Sequence, residues 1–410
     1  MKILFVSASD PATNPRIVKE MQFAQAEGHE LQLVYFGSDN WSKQASDDIL
    51  SKINDVVSYR IDKSWWPCKY KVGQAIRDLI RILGFPVHFG LKFKSVAHSE
   101  RSWYLNRILS KLAWQADLVI GHQLASFWPA AQYAKKNGAL LGLDIEDYHP
   151  GERFPIGFKM RNEGFIRRKL ITKLLPQADY TTYAAPLIRE ECLAVCGAAL
   201  RSETAVTINN SFWLNEFSHP ANANSQEGPI RLMWFSQNIN SGRGLEEVVD
   251  ALQSIDFKGF TLHIYGKLNP GFYKDYLQNH ANHIQINEPV SQLELHHAMT
   301  GMDIGLSPDH PKADHNRTLA LPNKIWAFLQ SGLYILSSNT PAQVQLMAEL
   351  PEHGLCSQLT REDLVENLLR IQKNIVQIRT NQGVRRKAME KMAFEQETTK
   401  LRLLWKVINH

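Results

Sequence analysis

Apolar and polar residues alternate with two different periods along the first forty residues. Residues 2–8 (KILFVSA) are a short, mostly apolar run that predicts a buried strand. A helical pattern runs from Pro15 to Ala26, with proline at its start and Gly28 just after its end. Residues 30–36 (ELQLVYF) predict a second strand. A strand, a helix and a strand within about 35 residues predict parallel strands joined by a right-handed crossover.

This alternation continues and predicts a first α/β domain with a doubly wound sheet. The further strands are expected at 117–121, 139–144 and 179–183, and helices at 127–137 and 163–175. The stretch 209–229 is rich in Asn, Ser and Pro and has no period, which is typical of a linker. We therefore place the first domain at residues 1–212.

A second α/β series follows the linker, which places a second domain at residues 213–392. Its strands are predicted at 230–235, 260–265, 284–286, 303–307 and 333–337. Its helices are predicted at 243–254, 271–280, 291–300 and 322–331. The tail 385–406 is charged and helical with an apolar face that needs a docking surface. We expect the last helix, about 393–410, to cross back to the first domain.

Composition narrows the class of protein. The chain has 46 Lys and Arg against 41 Asp and Glu, and this mild net charge of +5 does not by itself indicate nucleic-acid binding. Four cysteines are too few for a disulfide framework at this length. The apolar start is too short for a signal peptide, and no window reaches the roughly 18 apolar residues of a membrane span. The expected location is the cytoplasm.

The most informative stretch is 321–339, where a loop enters a helix through Pro322. Asn323 and Lys324 stand in the first turn, where free backbone N–H groups bind anions. A lysine is unexpected there, because the helix dipole disfavours a cation at this end. An anionic ligand would explain Lys324. The alternative is a surface lysine at an exposed helix start.

This stretch resembles the donor-site segment of retaining GT-B glycosyltransferases, a large family that builds bacterial polysaccharides and glycolipids. Other stretches resemble the family in the same order along the chain. They are 15–16, 27–30, 116–122, 143–147, 235–245, 264–266, 289–293 and 298–307. The resemblance implies two Rossmann-like domains facing a central cleft. It also implies transfer of a sugar from a nucleotide-diphosphate sugar to a hydroxyl acceptor.

The resemblance assigns the donor to loops of the second domain. Arg243 stands where the family often has a lysine on the donor diphosphate, and its guanidinium fork suits that role. The alternative for Arg243 is a solvated arginine at a helix start. The full set of donor-binding residues implied is Arg243, Gly244, Gly266, Lys267, Val290, Asn323 and Lys324.

The resemblance assigns catalysis and acceptor binding to the first domain. His122 follows an apolar strand, where it would position the substrate or handle a proton as a group titrating near neutrality. A purely structural histidine is the alternative. The acceptor-side residues implied are Asp10, Asn14, Arg16 and Asp144.

Three positions depart from the family pattern. The family's ribose-binding glutamate falls on Ala327, a second glutamate falls on Leu319, and an arginine of the first donor loop falls on Gln237. Either the donor is held differently, or the chain is a divergent or non-catalytic member. Substitutes in the polar loop 307–318 would be Asp309, Asp314 or Arg317. The rival functions are therefore a GT-B nucleotide-sugar epimerase and a non-catalytic scaffold subunit.

No metal or other cofactor is expected. The loop 307–318 contains Asp309, His310, Asp314 and His315, but their spacing matches no recognisable metal motif. Asp144-Ile-Glu146 resembles the acidic metal motif of a different transferase fold. GT-B chemistry generally proceeds without a bound metal, so we expect this motif to face the acceptor side instead.

Basic and aromatic residues are interleaved between residues 63 and 111. Such a pattern suits an anionic membrane surface or an acidic, lipid-linked acceptor. The alternative is an ordinary helical surface with the aromatic rings buried, and no nucleic-acid recognition module is recognisable. The basic residues are Lys63, Lys69, Lys71, Arg77, Arg81, Lys92, Lys94, Arg101, Arg107 and Lys111, and a second run from Arg153 to Lys173 includes Arg161, Arg167, Arg168 and Lys169. The aromatic residues are Trp65, Trp66, Tyr70, Phe85, Phe89, Phe93, Trp103 and Tyr104.

Overall fold

The computed structural model describes residues 1–37, 42–53, 56–62, 67–84, 89–155, 157, 160, 162–217, 227–310 and 312–408. Within these ranges the chain divides into two compact units. The first consists of residues 1–208 together with 398–410, and the second of residues 209–397. Each unit contains one parallel β-sheet with helices in its crossovers.

The first unit has a seven-stranded parallel sheet in the order β3-β2-β1-β4-β5-β6-β7. The strands are β1 Lys2–Ser7, β2 Glu30–Gly37, β3 Val57–Asp62, β4 Leu118–His122, β5 Leu140–Ile145, β6 Tyr180–Tyr183 and β7 Ala205–Thr207. The helices are α1 Pro15–Ala26, α2 Ser42–Ser51, α3 Pro67–Ile82, α4 Leu91–His98, α5 Glu100–Leu109, α6 Leu124–Asn137, α7 Glu163–Leu174 and α8 Pro186–Cys196.

Local chemistry explains where α1 begins and ends. The Asn14 side chain accepts a hydrogen bond from the backbone N–H of Ile17, and Pro15 occupies the first helical position. Gly28 follows the helix with a φ of 77°, a conformation that glycine adopts without strain. Every residue of the neighbouring β4 is buried, as expected for a central strand of a parallel sheet.

The second unit has a six-stranded parallel sheet in the order β10-β9-β8-β11-β12-β13. The strands are β8 Ile230–Ile239, β9 Phe260–Leu268, β10 Ile284–Asn287, β11 Ile304–Ser307, β12 Tyr334–Ser338 and β13 Gly354–Ser357. The helices are α9 Leu245–Ser254, α10 Gln292–Met299, α11 His315–Leu319, α12 Asn323–Gln330, α13 Pro341–Glu349, α14 Arg361–Lys373, α15 Ile375–Thr380 and α16 Gln382–Ala388. A last helix, α17, spans Phe394–Ile408.

The prediction that the last helix returns to the first domain is confirmed, because residues 398–410 belong to the first unit. The Trp405 indole N–H donates to the Tyr180 hydroxyl at 3.1 Å, and the Trp405 ring packs against Phe23. Arg402 forms two 2.9 Å hydrogen bonds with the carboxylate of Glu27. The apolar face of α17 thus has the docking surface that its sequence required.

Three local predictions differ from the structure. The segment 271–280 is a short α-turn at Pro270–Phe272, a π-turn at Tyr273–Leu277 and a 3₁₀ turn at Gln278–His280 rather than one helix. Residues 209–217 are not free linker, since Asn209 is bonded to Glu397 and Phe212 to Gln330. The helix predicted from 243 begins at Leu245, which leaves Arg243 in the preceding loop.

Among the helices that the structure describes, none combines the length and apolarity that crossing a bilayer requires.

Candidate functional site

Two glycines near the carboxyl edge of the second sheet, one in the loop after β8 and one near the end of β9, let backbone segments approach each other closely. Gly244 has a φ of 75°, and a Cβ atom there would lie 1.7 Å from the Pro308 carbonyl oxygen. Gly266 has a φ of 143°, and a Cβ there would lie 2.0 Å from the carbonyl oxygen of Ser236. Any side chain at either position would collide with backbone. Glycine is therefore required for the loop after β8 to pack against the segment after β11, and for β9 to pass close to Ser236 of β8.

Lys324 lies in the first turn of α12 and is only 9% exposed. Its Nζ is 4.9 Å from the centre of the Trp234 ring. Burial lowers the pKa of Lys324, and the charges of Arg243 and Arg317 add to that effect against the opposing charge of Asp309. These interactions place Lys324 in a group with two other cations and one carboxylate.

The other two cations come from the loop before α9 and from the short helix α11. Arg243 is half-buried between Gly242 and Gly244, and Arg317 donates from Nη1 to the Gly242 carbonyl at 3.2 Å. Within the described ranges, neither Lys324 nor Arg243 has a carboxylate within ion-pair distance. A cation removed from water without a counter-ion is costly, so this arrangement is typical of a site that receives an anion.

The remaining residues of the predicted donor set lie at the same carboxyl edge but are more open. Lys267 at the end of β9 is exposed, as are Asn323 at the start of α12 and Val290 after β10. No contact in the described part of the chain joins Lys267 or Val290 to the three cations. Their predicted roles stay predictions.

The structure also describes two of the positions at which the sequence differs from the family pattern. Ala327 is fully buried in α12, and Leu319 is 8% exposed at the end of α11. Asp314 caps α11 by accepting from the Arg317 backbone N–H at 2.8 Å. Asp309 therefore remains as the carboxylate of loop 307–318 whose charge acts on Lys324. Ser307 was not predicted as a site residue; its Oγ is buried at the end of β11 without a hydrogen-bond partner among the described residues.

In the first unit, His122 ends β4 and has no exposed surface. Its Nδ1 is 3.1 Å from Asp144 Oδ2, and its Nε2 is 3.1 Å from Glu20 Oε2. Burial alone would lower the pKa of His122, but the neighbouring carboxylates of Asp144, Glu146 and Glu20 outweigh it and raise the pKa well above its usual value. Carboxylates on both sides favour the charged ring and shift its pKa away from neutrality. The catalytic role of His122 stays a prediction.

Arg16 completes this buried ionic group. Its Nε lies 2.9 and 2.7 Å from the two carboxylate oxygens of Asp144, and Thr182 Oγ1 donates to the same carboxylate at 2.5 Å. Burial would raise the pKa of Asp144, but the charges of Arg16 and His122 hold it well below its usual range. Asp144 therefore stays ionised and fixes both cations.

The other two residues of the predicted acceptor set are also buried. Asn14 donates from Nδ2 to Glu146 Oε1 at 2.6 Å, and Asp10 accepts from the Ser46 hydroxyl. The structure thus joins Asn14, Arg16 and Asp144 to His122 in one network, while Asp10 is held separately by α2. Glu20 and Glu146 were missed, although Glu20 lies one helical turn after Arg16 and Glu146 follows Asp144 by two residues.

His122, Asp144 and Glu146 place one possible metal-ligand atom each within 4.8 Å of one another, and within the described ranges they are the group that does so. Their oxygens, however, already accept hydrogen bonds from Arg16 and Asn14. A metal ion there would be repelled by the neighbouring guanidinium. These residues fit a metal poorly, and the expectation of a metal-independent protein stays a prediction.

Comparison with known proteins identifies the fold. No family model and no curated protein matches the sequence. Among solved structures, the HepE protein of Anabaena in complex with UDP has a TM-score of 0.67 at 12% identity, over 99% of this chain and 100% of that one. Sucrose-phosphate synthase of Thermosynechococcus elongatus has a TM-score of 0.68 at 14% identity, over 100% and 99%.

A third similar structure is a putative UDP-N-acetylglucosamine 2-epimerase of Listeria monocytogenes. It has a TM-score of 0.56 at 14% identity, over 93% of this chain and 90% of the other. At such identities the similarity is one of fold alone. The chain has the GT-B fold with two Rossmann-like domains.

Proposed function

We propose that this GT-B chain is a glycosyltransferase of the hexosyltransferase type. It would move a sugar from a nucleotide-diphosphate sugar to a hydroxyl group of a glycan or lipid-linked acceptor, with retention and without a metal. The observation that carries the proposal is the group formed by Lys324, Arg243 and Arg317, which gathers positive charge beside the start of α12. A diphosphate matches that charge and the free N–H groups of the helix start.

The proposed role of these three cations in the reaction is electrostatic. When the bond from sugar to diphosphate breaks, negative charge develops on the departing phosphate oxygen. Lys324 and Arg243 would stabilise that charge, and the tight approach at Gly244 would bring backbone N–H groups close to it. Since Ala327 offers no carboxylate, Asp309 is the residue we propose for contact with the ribose or sugar hydroxyls.

A panel of nucleotides and nucleotide sugars tests the donor site by isothermal titration calorimetry. We expect at least one uridine, guanosine or adenosine diphosphate compound to bind. Lys324→Ala and Arg243→Ala should each weaken that binding by roughly ten- to a hundredfold, as expected for loss of a charge-assisted contact. Lys373→Ala is the matched control on an exposed position of α14. Absence of nucleotide binding by the wild type would contradict the proposal and favour a scaffold subunit.

The epimerase similarity supports a second candidate function. An epimerase would convert UDP-N-acetylglucosamine without any acceptor. Proton NMR of the nucleotide sugar incubated with the protein separates the two functions. Accumulation of a new sugar epimer in the absence of acceptor would favour the epimerase, whereas transfer that requires an added acceptor would favour the glycosyltransferase.

We also propose that the protein works in the cytoplasm and contacts an anionic membrane surface, where it would serve surface polysaccharide or glycoconjugate synthesis. The support is a surface of the first unit, here named the basic-apolar surface. Its apolar members are 41–55% exposed: Val72, Leu79, Ile82, Leu83, Phe89 and Phe165. Its basic members are Lys92, Lys94, Arg168, Lys169 and Lys173.

Buried contacts hold α3, α4 and α7, the helices on or beside which these residues lie, against one another. Arg81 of α3 donates to the Ala97 carbonyl of α4 at 2.6 Å and pairs with Glu163 of α7. Lys169 lies 5.6 Å from the Phe165 ring, and Lys94 bonds to the Phe89 carbonyl. Exposed apolar side chains surrounded by lysine and arginine side chains are suited to the headgroup layer of an anionic bilayer.

Several residues of the sequence argument do not enter this surface. Trp103 and Tyr104 pack against each other at 4.8 Å and are only partly exposed. Lys63, Trp65, Trp66, Phe85 and Arg161 lie outside the described residues, as do the side chains of Lys69 and Tyr70. We propose no nucleic-acid partner.

A further inference from the structure

A cavity of about 270 Å³ lies in the second unit, where β12 and β13 begin. Its walls come from these two strands, from the segment before β13, and from α14, α15 and α16. Lys324 lies in the first turn of α12, at the carboxyl edge of the same sheet, whereas this cavity lies at the amino edge, beyond the other end of that helix. The eight residues of α12 span about 12 Å, so the cavity is separate from the three cations described above.

Arg385 of α16 lines this cavity and is only 4% exposed. Its Nε donates to the Gly332 carbonyl at 3.0 Å, and its Nη2 donates to the Ile378 carbonyl at 2.9 Å. Its Nη1 has no hydrogen-bond partner among the described residues and is not enclosed by protein, so it opens to the cavity. Burial lowers the pKa of Arg385 to about 10, against the opposing charge of Glu352. A guanidinium buried with an unused N–H group is typical of a site that receives an anion.

Two exposed charges line the same cavity, Arg370 of α14 and Glu352 from the segment before β13. Both act, together with Arg385, on the hydroxyl of Tyr334. Burial raises the pKa of Tyr334, the two arginines oppose that rise, and Glu352 adds to it. Within the described ranges, however, Glu352 forms no ion pair with either arginine, and Glu366, one turn before Arg370, does not line the cavity. Two cations and one carboxylate thus surround one hydroxyl, and the opposite charges are kept apart.

Opposite charges that line one small cavity without pairing suit a ligand that itself carries both signs. One carboxylate of such a ligand can accept hydrogen bonds from Arg385 Nη1 and from the Tyr334 hydroxyl, and a second carboxylate can accept from the fork of Arg370. An ammonium group can donate to Glu352. A ligand with two carboxylates and one ammonium group therefore matches the cavity charge by charge. A phosphate monoester would satisfy the arginines but would bring a like charge next to Glu352.

We propose that this cavity binds a free acidic α-amino acid, with Arg370 and Arg385 on its two carboxylates and Glu352 on its ammonium group. The cavity lies at the amino edge of the sheet, away from the cations assigned to the donor diphosphate, so its ligand is not a substrate of the proposed transfer. The ligand would join β12, α14 and α16, and it would therefore stabilise the folded second unit by mass action.

Isothermal titration calorimetry on the full chain tests the site with L-glutamate and L-aspartate. The comparison ligands are glutarate, which lacks the ammonium group, L-glutamine, which lacks the second carboxylate, and glucose 6-phosphate and inorganic phosphate, which lack both groups. We expect at least one of the two acidic amino acids to bind, and each comparison ligand to bind roughly tenfold or more weakly, because each loses a charge-assisted contact.

Two variants at exposed positions test the assigned roles without disturbing the fold. Arg370→Ala should weaken binding of the acidic amino acid by roughly tenfold or more. Glu352→Gln should also weaken it but should leave glutarate binding unchanged or stronger, so the preference for a ligand with an ammonium group disappears. A merely structural role of Glu352 would not change that preference. Arg361→Ala and Glu362→Gln are the matched controls, since both residues are exposed at the start of α14 and outside the cavity.

Three results would overturn the proposal: no binding of either acidic amino acid, tighter binding of phosphate or of the sugar phosphate, or an unchanged preference in Glu352→Gln. The nucleotide titrations of the wild type are independent of these. Nucleotide binding without amino-acid binding would contradict this site and leave the proposed glycosyltransferase standing. Amino-acid binding without nucleotide binding would contradict the glycosyltransferase and leave this site standing.

Discussion

The charge on Asp144 is shared between two buried cations, Arg16 and His122, and this sharing makes the residue indispensable to the first unit. Removing one partner of a buried ionic group leaves the others uncompensated, which costs more than the pair itself contributes. The network is therefore both a support for the loops at the carboxyl edge and a point of vulnerability.

Asp144→Asn should destabilise the first unit by about 3–5 kcal/mol, since Asn keeps the shape of Asp but removes the carboxylate that pairs with Arg16 and with Nδ1 of His122. Urea unfolding followed by circular dichroism measures the change. Asp47→Asn, at an exposed position of α2, should change the unfolding free energy by less than about 0.5 kcal/mol. Equal stability of the two variants would contradict this account of the network.

His122 should make stability depend on pH in a defined direction. Because its folded-state pKa is raised, its contribution is fully present below the unfolded-state pKa of about 6.5 and is lost as pH rises through the folded-state value. Comparison of wild type with His122→Gln by urea unfolding between pH 5 and 9 should show the largest gap at low pH and a shrinking gap towards pH 9. A gap that grows with pH would argue for a neutral ring.

Gly244→Ala should disturb the cation group more than the same change two residues earlier. Both Gly242 and Gly244 have positive φ, but a Cβ at Gly242 meets nothing within 4 Å, whereas at Gly244 it meets the Pro308 carbonyl. Gly242→Ala should cost about 1 kcal/mol from φ alone, and Gly244→Ala should cost clearly more and weaken nucleotide binding. Thermal unfolding and calorimetry on both variants separate the two effects.

At the scale of elements, one face of α17 packs against the first unit and should contribute strongly to its stability. Trp405→Ala should destabilise the first unit by about 3–5 kcal/mol, because it removes a buried ring packed on Phe23 and bonded to Tyr180. Leu403→Ala, on the opposite face of the helix and 59% exposed, should stay within about 0.5 kcal/mol of wild type. Similar losses for both variants would show that the helix does not dock through this face.

Strands and helices with a clear periodic pattern of apolar residues were predictable from the sequence. Short strands, and strands without such a pattern, were not. Strand β3 was missed because it lies at the sheet edge with Val57 and Tyr59 well exposed, so it lacks an apolar run. Strand β7 has three residues and β13 begins with glycine, which leaves each with little signal. The second sheet was otherwise predicted strand by strand, because its central strands are buried apolar runs.

The sequence predicted individual site residues, but it did not predict which of them would contact one another. The helix-start lysine and the glycine-flanked arginine are local signals, and the structure brings them together with Arg317. The pairing of Arg16 with Asp144 spans 128 residues of sequence, so no local pattern could indicate it. Burial of His122 between two carboxylates, and with it the raised pKa, follows only from the packing of α1 against the sheet.

At the scale of the whole molecule, the basic-apolar surface should give a salt-dependent affinity for anionic bilayers. Co-sedimentation should show binding to phosphatidylglycerol-containing vesicles and little to pure phosphatidylcholine vesicles, with a decrease between 0.05 and 0.5 M salt because screening shortens the electrostatic range. A Leu83→Ser, Phe89→Ser double variant should bind more weakly, and Val376→Ser, Val384→Ser in the second unit is the matched control. Equal binding of both vesicle types would contradict an anionic partner.

The place of α17 in the first unit also bears on how the protein is made. The ribosome synthesises residues 398–408 only after the entire second unit, at roughly 5–20 residues per second. Until then, the nascent first unit exposes the surface around Phe23 and Tyr180 that Trp405 will cover. Completion of the first unit, which is synthesised first, thus waits for the helix that is synthesised last.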